Sequence, residues 1–263
     1  MTTSEMTYRG TTAMITGASS GIGEEFAARF AERGADVVLV ARREDRLRAL
    51  AAELEERHGI TATVLPLDLG VAGIAATLRR ELDDRGIRID TLIGNAGFGA
   101  RGAILTEDPE RLAAMIQLNV VALTAVTREF LPDLVASGRG ALVNVASVVA
   151  YQPTPYMAVY GATKAFVLSL TEAIAYETRD TGLRVLALSP GSTATEFFEI
   201  ACAEEVARGM QTPAQVVETA LKALDRRSTP PSVVSGATNA VASMLSGIIP
   251  RRVVLEASGR LLA

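Results

Sequence analysis

The chain has 263 residues, 49% of them apolar, with a formal net charge of −4. That length suits one large α/β domain or two small ones, the apolar share allows a sizeable core, and the acidic balance argues against a nucleic-acid partner, which needs a basic face. The single cysteine, Cys202, excludes an intrachain disulfide and a multi-cysteine metal site, so no metal is expected.

The start, Met1 to Gly10, is polar and lacks the apolar run of a secretory signal. No uncharged apolar stretch reaches the roughly 18–20 residues of a membrane span. A cytoplasmic protein with no membrane span is the expectation.

Strand and helix patterns alternate from near the start to about Ser189. Ala13 to Thr16 is a short apolar run that ends in the turn Thr16-Gly17-Ala18-Ser19-Ser20-Gly21-Ile22-Gly23. Ile22 to Arg33 then has helical periodicity. Asp36 to Val40 reads as a strand buried on both faces. Glu44 to His58 is helical, with Leu47, Leu50 and Leu54 on one face. Ala62 to Leu67 is the next strand, and Thr91-Leu92-Ile93 leads into Gly94-Asn95-Ala96-Gly97.

A long helix follows Pro109, a residue suited to a first helical turn. Ala141 to Ala146 is a strand, Tyr156 to Arg179 a long helix, and Arg184 to Ser189 a strand ended by Pro190-Gly191. Gly191 to Met210 is an excursion, Pro213 to Leu224 is helical, and Pro231 to Ser235 is a candidate last strand. Ala237 to Pro250 is apolar but too short to span a membrane, and reads as a core or interface helix. Such alternation implies parallel strands joined by right-handed crossovers. The expected fold is a single doubly wound, Rossmann-like α/β domain over residues 1–263, with a small substrate-side excursion at about 191–210.

The glycine-rich turn lets a pyrophosphate approach the backbone at a helix N-terminus. A P-loop would need Gly-Lys-Ser/Thr at its end, whereas Gly23 precedes Glu24. A hydrolase elbow, Gly17-Ala18-Ser19-Ser20-Gly21, would need its histidine last in the chain. The one histidine, His58, lies far upstream in the run Glu55-Glu56-Arg57-His58-Gly59, which reads as an exposed helix end. A histidine general base is therefore not expected.

These motifs resemble the short-chain dehydrogenase/reductase family over roughly Thr11 to Gly191. The glycine spacing is the family's, and Gly94-Asn95-Ala96-Gly97 is similar to its N-N-A-G element, with glycine in place of the first asparagine. Asn119 matches the family's helix asparagine. Twelve residues separate Ser147 from Tyr160, and Tyr160-Gly161-Ala162-Thr163-Lys164 is the Y-x-x-x-K signature. Pro190-Gly191 matches the family's proline-glycine. The resemblance implies a nicotinamide cofactor held by Gly17, Ser19, Ser20, Gly21, Ile22, Gly23, Asn95, Ala96, Gly97, Tyr160, Lys164, Pro190, Gly191 and Thr193, with Asp68 near the adenine. It also implies that Asn119 holds a water linking Lys164 to solvent.

Cofactor choice is read at the end of the second strand. NAD enzymes of this type usually carry an acid there, whereas this chain has Ala41-Arg42-Arg43. No carboxylate repels a 2′-phosphate, and two guanidinium groups can bind one. NADP(H) is the expected cofactor. A pair that merely starts a surface helix is the plainer alternative.

Carbonyl reduction needs a hydride and a proton. With no plausible histidine, a tyrosine is the natural acid. Its ordinary pKa of about 10 is high for cycling near neutrality, and a nearby cation lowers it. Lys164, four residues from Tyr160, lies on the same helix face. Tyr160 is the candidate general acid/base, Lys164 its pKa depressor and ribose ligand, and Ser147 a donor to the substrate oxygen.

Phe98, Val148, Val149, Tyr151, Pro155, Met157, Phe197 and Phe198 are expected to wall the substrate side. Ser147, Val149, Tyr151, Phe197 and Phe198 are the candidate substrate contacts. This predicts a largely apolar pocket for a small carbonyl or alcohol, not one for an acidic or phosphorylated substrate. The split character of Gly191 to Met210 suits a segment that closes over bound ligand. The resemblance implies that the long helices, 109–136 and 156–179, pair across a two-fold axis, so a homodimer or homotetramer is expected. A non-catalytic nucleotide-binding regulator or scaffold of the same fold is the alternative function.

Overall fold

The structure, a computed structural model, describes residues 7–196 and 210–262. Seven parallel strands form one sheet in the order β3-β2-β1-β4-β5-β6-β7. They are β1 (Thr12–Thr16), β2 (Asp36–Ala41), β3 (Ala62–Pro66), β4 (Thr91–Gly94), β5 (Ala141–Val145), β6 (Arg184–Ser189) and β7 (Ser232–Val234). The order reverses between β1 and β4, so the loops beyond their carboxyl ends diverge and leave a crevice.

Strand alternation explains why nearly every residue in these runs is apolar. Ala13, Ile15, Val37, Leu39 and Val143 face one layer, against Phe26, Phe30, Leu47, Val216 and Leu224. Met14, Val38, Val40 and Leu142 face the other, against Leu78, Leu82, Phe130, Leu134 and Ile174. The first layer of helices is α1 (Gly21–Glu32), α2 (Glu44–His58) and α7 (Pro213–Leu224). The second is α3 (Ile74–Asp83), α5 (Leu123–Ser137) and α6 (Ala158–Glu177). The chain closes with α8 (Ala237–Ser246) and α9 (Arg251–Leu262).

Three elements depart from the sequence pattern. The periodicity reading omits α3, although Ile74, Leu78 and Leu82 form its buried stripe. The helix expected from Tyr156 starts at Ala158, because Tyr156 takes a left-handed φ of +62°. α8 is not a core helix: none of its residues is buried, and Val241, Met244 and Leu245 are exposed.

The run Pro109–Ser137 comprises α4 (Pro109–Ile116), a π-helical turn at Gln117–Ala122, and α5. It starts sharply because the Asp108 carboxylate accepts from Glu110 N at 3.0 Å and Pro109 needs no N–H partner there. Among the described residues it is the one helix long and apolar enough to cross a membrane. Here Val126, Phe130 and Leu134 pack under the sheet. Arg79 lies 4.3 Å from the Phe130 ring centre and holds Glu129 and Asp133.

Candidate active site

The turn after β1 works by close approach. A Cβ on Gly23 would lie 2.2 Å from Gly17 O, so helix α1 can begin against the turn only with glycine there. Gly17 itself has φ +68°. Asn95 secures the neighbouring loop: its Nδ2 donates to Thr16 O at 3.0 Å and Gly17 O at 3.3 Å. Thr16 Oγ1 in turn accepts from Asn95 N and Ala96 N at 2.9 and 3.1 Å.

Gly94 stands where the similar family element carries its first asparagine. In register with it on β5 is Asn144, whose Oδ1 would lie 2.2 Å from a Gly94 Cβ. Asn144 Nδ2 donates to Thr171 Oγ1 at 3.1 Å, tying the sheet to α6. The missing side chain on β4 is thus the space that a side chain from β5 fills.

Asn119 sits in the π-helical turn, a feature that often marks functional sites. Its Oδ1 accepts from Phe98 N at 3.1 Å, and its Nδ2 donates to Phe98 O at 2.9 Å and Thr163 Oγ1 at 3.2 Å. Thr163 Oγ1 donates to Tyr160 O at 2.7 Å. The loop after β4, the long helix and α6 are therefore joined beside Tyr160.

Lys164 Nζ donates to Val145 O at 2.7 Å and lies 5.9 Å from the Tyr160 ring centre. Tyr160, Lys164 and Asn119 are only 7%, 5% and 0% exposed. Burial pushes the Lys164 pKa down from 10.5 to about 8. Ser147, just beyond β5, accepts from Val149 N at 3.4 Å. A hydroxyl that accepts there keeps its own proton for a second partner.

One cleft of about 1070 Å³ joins these groups. At one end are Arg42, Arg43 and Asp68, then Gly17, Ser19, Ser20, Gly21 and Ile22. Asn95, Ala96 and Gly97 follow, then Ser147, Tyr160 and Lys164, with Pro190, Gly191 and Thr193 on the far wall. Gly23 lies under the turn. An elongated dinucleotide fits this cleft: its glycine cradle admits no Cβ at Gly17 or Gly23, and cations line the end away from Tyr160.

Phe98, Val148, Val149 and Met157 line the cleft as expected, whereas Tyr151 and Pro155 lie outside its lining. Tyr151 packs against Ala146 and Val167, and its hydroxyl accepts from Ser189 at 3.4 Å. Phe197, Phe198, Cys202 and most of the expected closing segment lie outside the described residues. His58 is exposed at the end of α2, remote from the lining. The structure adds Arg101 and Arg111 to the cleft lining, which the sequence reading missed. Arg111, Ala114 and Leu118 share a helical stripe along the cleft, a signal present in the sequence but overshadowed by the apolar neighbours.

The end of the cleft at Arg42 and Arg43 is held by charge. Arg43 donates to Ser19 Oγ at 3.0 Å and Ser20 Oγ at 2.8 Å. It also donates to Glu196 Oε2 at 2.7 Å, and Arg46 donates to the other oxygen of that carboxylate. Hydrogen bonds from Arg46 and Arg43 hold the Glu196 carboxyl down at about 2.

A short chain dehydrogenase family model matches residues 11–205. Sulfoacetaldehyde reductase 2 of Chromohalobacter salexigens is 39% identical over 186 residues, covering 70% of this chain and 73% of that protein. The 7beta-hydroxysteroid dehydrogenase of Collinsella aerofaciens is 32% identical over 231 residues, 86% of each chain. The short-chain dehydrogenase from Sphingobium yanoikuyae, solved with NADPH, superposes with a TM-score of 0.80 at 37% identity, covering 90% of this chain and 94% of that one.

Proposed function

The chain belongs to the short-chain dehydrogenase family, and on that premise we propose that it is an NADP(H)-dependent carbonyl reductase or alcohol dehydrogenase. One observation carries the reading: a single cleft joins Ser147, Tyr160 and Lys164 to a glycine cradle and to Arg42 and Arg43. The NADPH bound by the Sphingobium neighbour and the aldehyde and hydroxysteroid named for the two relatives agree with it.

In this reading the turn from Gly17 to Gly23 receives the pyrophosphate, and Arg42, Arg43, Ser19 and Ser20 receive a 2′-phosphate. Asp68 serves the adenine side, Asn95 to Gly97 the ribose, and Pro190, Gly191 and Thr193 the carboxamide. When bound, a reduced nicotinamide supplies the hydride to the carbonyl carbon. Tyr160 gives its phenolic proton to the carbonyl oxygen, while Ser147 donates a hydrogen bond to the same oxygen. The Lys164 cation offsets the phenolate that remains. Asn119 is a positioning residue, holding the Phe98 main chain and the α6 backbone in register.

The test is NADPH oxidation, followed at the nicotinamide absorbance, across ketones and aldehydes. Turnover with NADPH above that with NADH is expected. Tight NADPH binding without turnover on any carbonyl would favour the non-catalytic scaffold. Exposed Ile116, Val121, Phe166 and Tyr176 on the long helices support a homodimer or homotetramer. A monomer mass by light scattering at micromolar concentration contradicts that assembly.

A further inference from the structure

The strip that leaves β6 at Pro190 and Gly191 is backed by a side chain from the far end of the chain. Asn239 lies in the first turn of α8. A Cβ on Gly191 would overlap Asn239 Nδ2 and lie 2.9 Å from its Cγ and 3.1 Å from its Oδ1. The whole Asn239 amide therefore packs on the bare Cα of Gly191. Gly191 does not take a left-handed φ. Space for Asn239, not backbone conformation, is what requires glycine there.

Asn239 is itself fixed. Its Nδ2 donates to Ser235 O at 2.8 Å. Ser235 is fully buried, and its N–H donates to Ser189 O at 3.0 Å. Its hydroxyl lies 3.2 Å from Thr219 Oγ1 on α7. Gly236, with φ +88°, turns the chain from β7 into α8 and brings Asn239 back to Gly191. The result is a closed ring of Ser189, Ser235, Asn239 and Gly191.

The other flank of the strip is held by main chain. Gln211 N donates to Ser192 O at 2.9 Å, and Ala194 N donates to Gln211 O at 2.9 Å. Ser192 and Ala194 thus turn to Gln211, and the N–H of Thr193 between them turns the other way. Thr193 lines the cleft. Pro190 O accepts from Val148 N at 3.0 Å, which ties the strip to the residue after Ser147.

We propose that Asn239 is a positioning residue for the nicotinamide end of the cofactor. It seats Gly191, and through it the main chain of Ser192 and Thr193, relative to Ser147 and Tyr160. It does so from outside residues 11–205, the part of the chain that the family model matches. The inference rests on the nicotinamide cofactor reading. A plainer role, in which the Asn239 amide only steadies the turn from β7 into α8, would act on the fold and not on one half of a ligand.

Cofactor fragments separate the two roles. 2′,5′-ADP carries the adenosine end with its 2′-phosphate and has no nicotinamide. In Asn239→Ala, loss of one neutral hydrogen bond should weaken NADPH roughly threefold to tenfold. The Kd of 2′,5′-ADP, from the same calorimetric titrations, should not move. Gly191→Ala should weaken NADPH further, because its methyl meets the Asn239 amide. Combining Gly191→Ala with Asn239→Ala should restore part of that loss, since the second change clears the space the methyl takes. Equal weakening of NADPH and 2′,5′-ADP, no weakening of either, or no recovery in the double variant overturns the proposal. Wild-type protein that binds neither ligand would reject the cofactor reading itself, and the inference with it.

Discussion

The two ends of the cleft are built on different principles. At the inner corner, Asn119, Tyr160 and Lys164 are buried, and Asn119 and Lys164 bond to main-chain atoms of Phe98 and Val145. At the outer end, Arg43, Arg46 and Glu196 meet side chain to side chain in partial contact with water, the Glu196 side chain being 35% exposed. A reacting constellation needs fixed geometry, and main-chain partners cannot swing away as side chains can. Cofactor choice needs only charge of the right sign, which solvated side chains supply and can rearrange. The inner corner incurs a cost the outer end avoids: burial of Lys164 lowers its pKa to about 8.

The sharpest way to break the contrast is at the inner corner. Tyr160→Phe removes the proton donor alone, and general acid catalysis typically contributes about 10²–10⁴-fold. Turnover should fall by that order with NADPH affinity retained. A variant keeping a tenth of wild-type turnover would remove Tyr160 from the mechanism.

The outer end should respond more mildly and more selectively. Arg42→Ala and Arg43→Ala should each weaken NADPH roughly tenfold to a hundredfold, as loss of a charge-assisted bond implies, with little change for NADH. Equal losses for the two cofactors in binding titrations would show that the arginines do not read a 2′-phosphate.

Lys164 offers a test of the cost of burial. Its folded pKa, about 8, lies below the ordinary 10.5. Between those values the unfolded chain holds more protons than the folded one, so stability rises with pH across that window. Lys164→Met should lack that rise. Tyr8, whose hydroxyl burial pushes up to about 12, acts in the opposite sense above pH 10 but is shared by both proteins. Parallel urea midpoints for the two proteins across the window would contradict a buried, proton-poor lysine.

The smallest effect concerns Glu196, whose carboxylate occupies the guanidinium that a 2′-phosphate would use. Exposed ion pairs are worth little, so Glu196→Gln should tighten NADPH by no more than about fivefold. Weaker binding in that variant would mean that Glu196 holds Arg43 in place for the phosphate instead of competing with it.

The parts legible in the sequence were those whose cause is local. The β2 run reads as a doubly buried strand because every residue must meet one of two apolar layers. The turn from Thr16 to Gly23 reads as a nucleotide cradle because its glycines stand where positive φ or close approach forbids a side chain. α3 escaped because its stripe of Ile74, Leu78 and Leu82 spans few turns and lacks a polar N-cap. Tyr151 was placed at the substrate by nearness in sequence to Ser147, but the single turn Val148–Tyr151 rotates it toward Ser189.

The sequence by itself determined the alternation of strands and helices, the glycine turn, and Tyr160 and Lys164 on one helix face. Each follows from backbone geometry and a repeat read over a few residues. Only the tertiary structure decided that Asn144 fills the space left at Gly94, since strand register makes them opposite. It alone brought Glu196 onto Arg43 across 153 residues. It alone brought Arg101 and Arg111 into the lining of the cleft that holds Tyr160. Those contacts depend on how parallel strands order themselves and where their loops return, and no local periodicity carries that information.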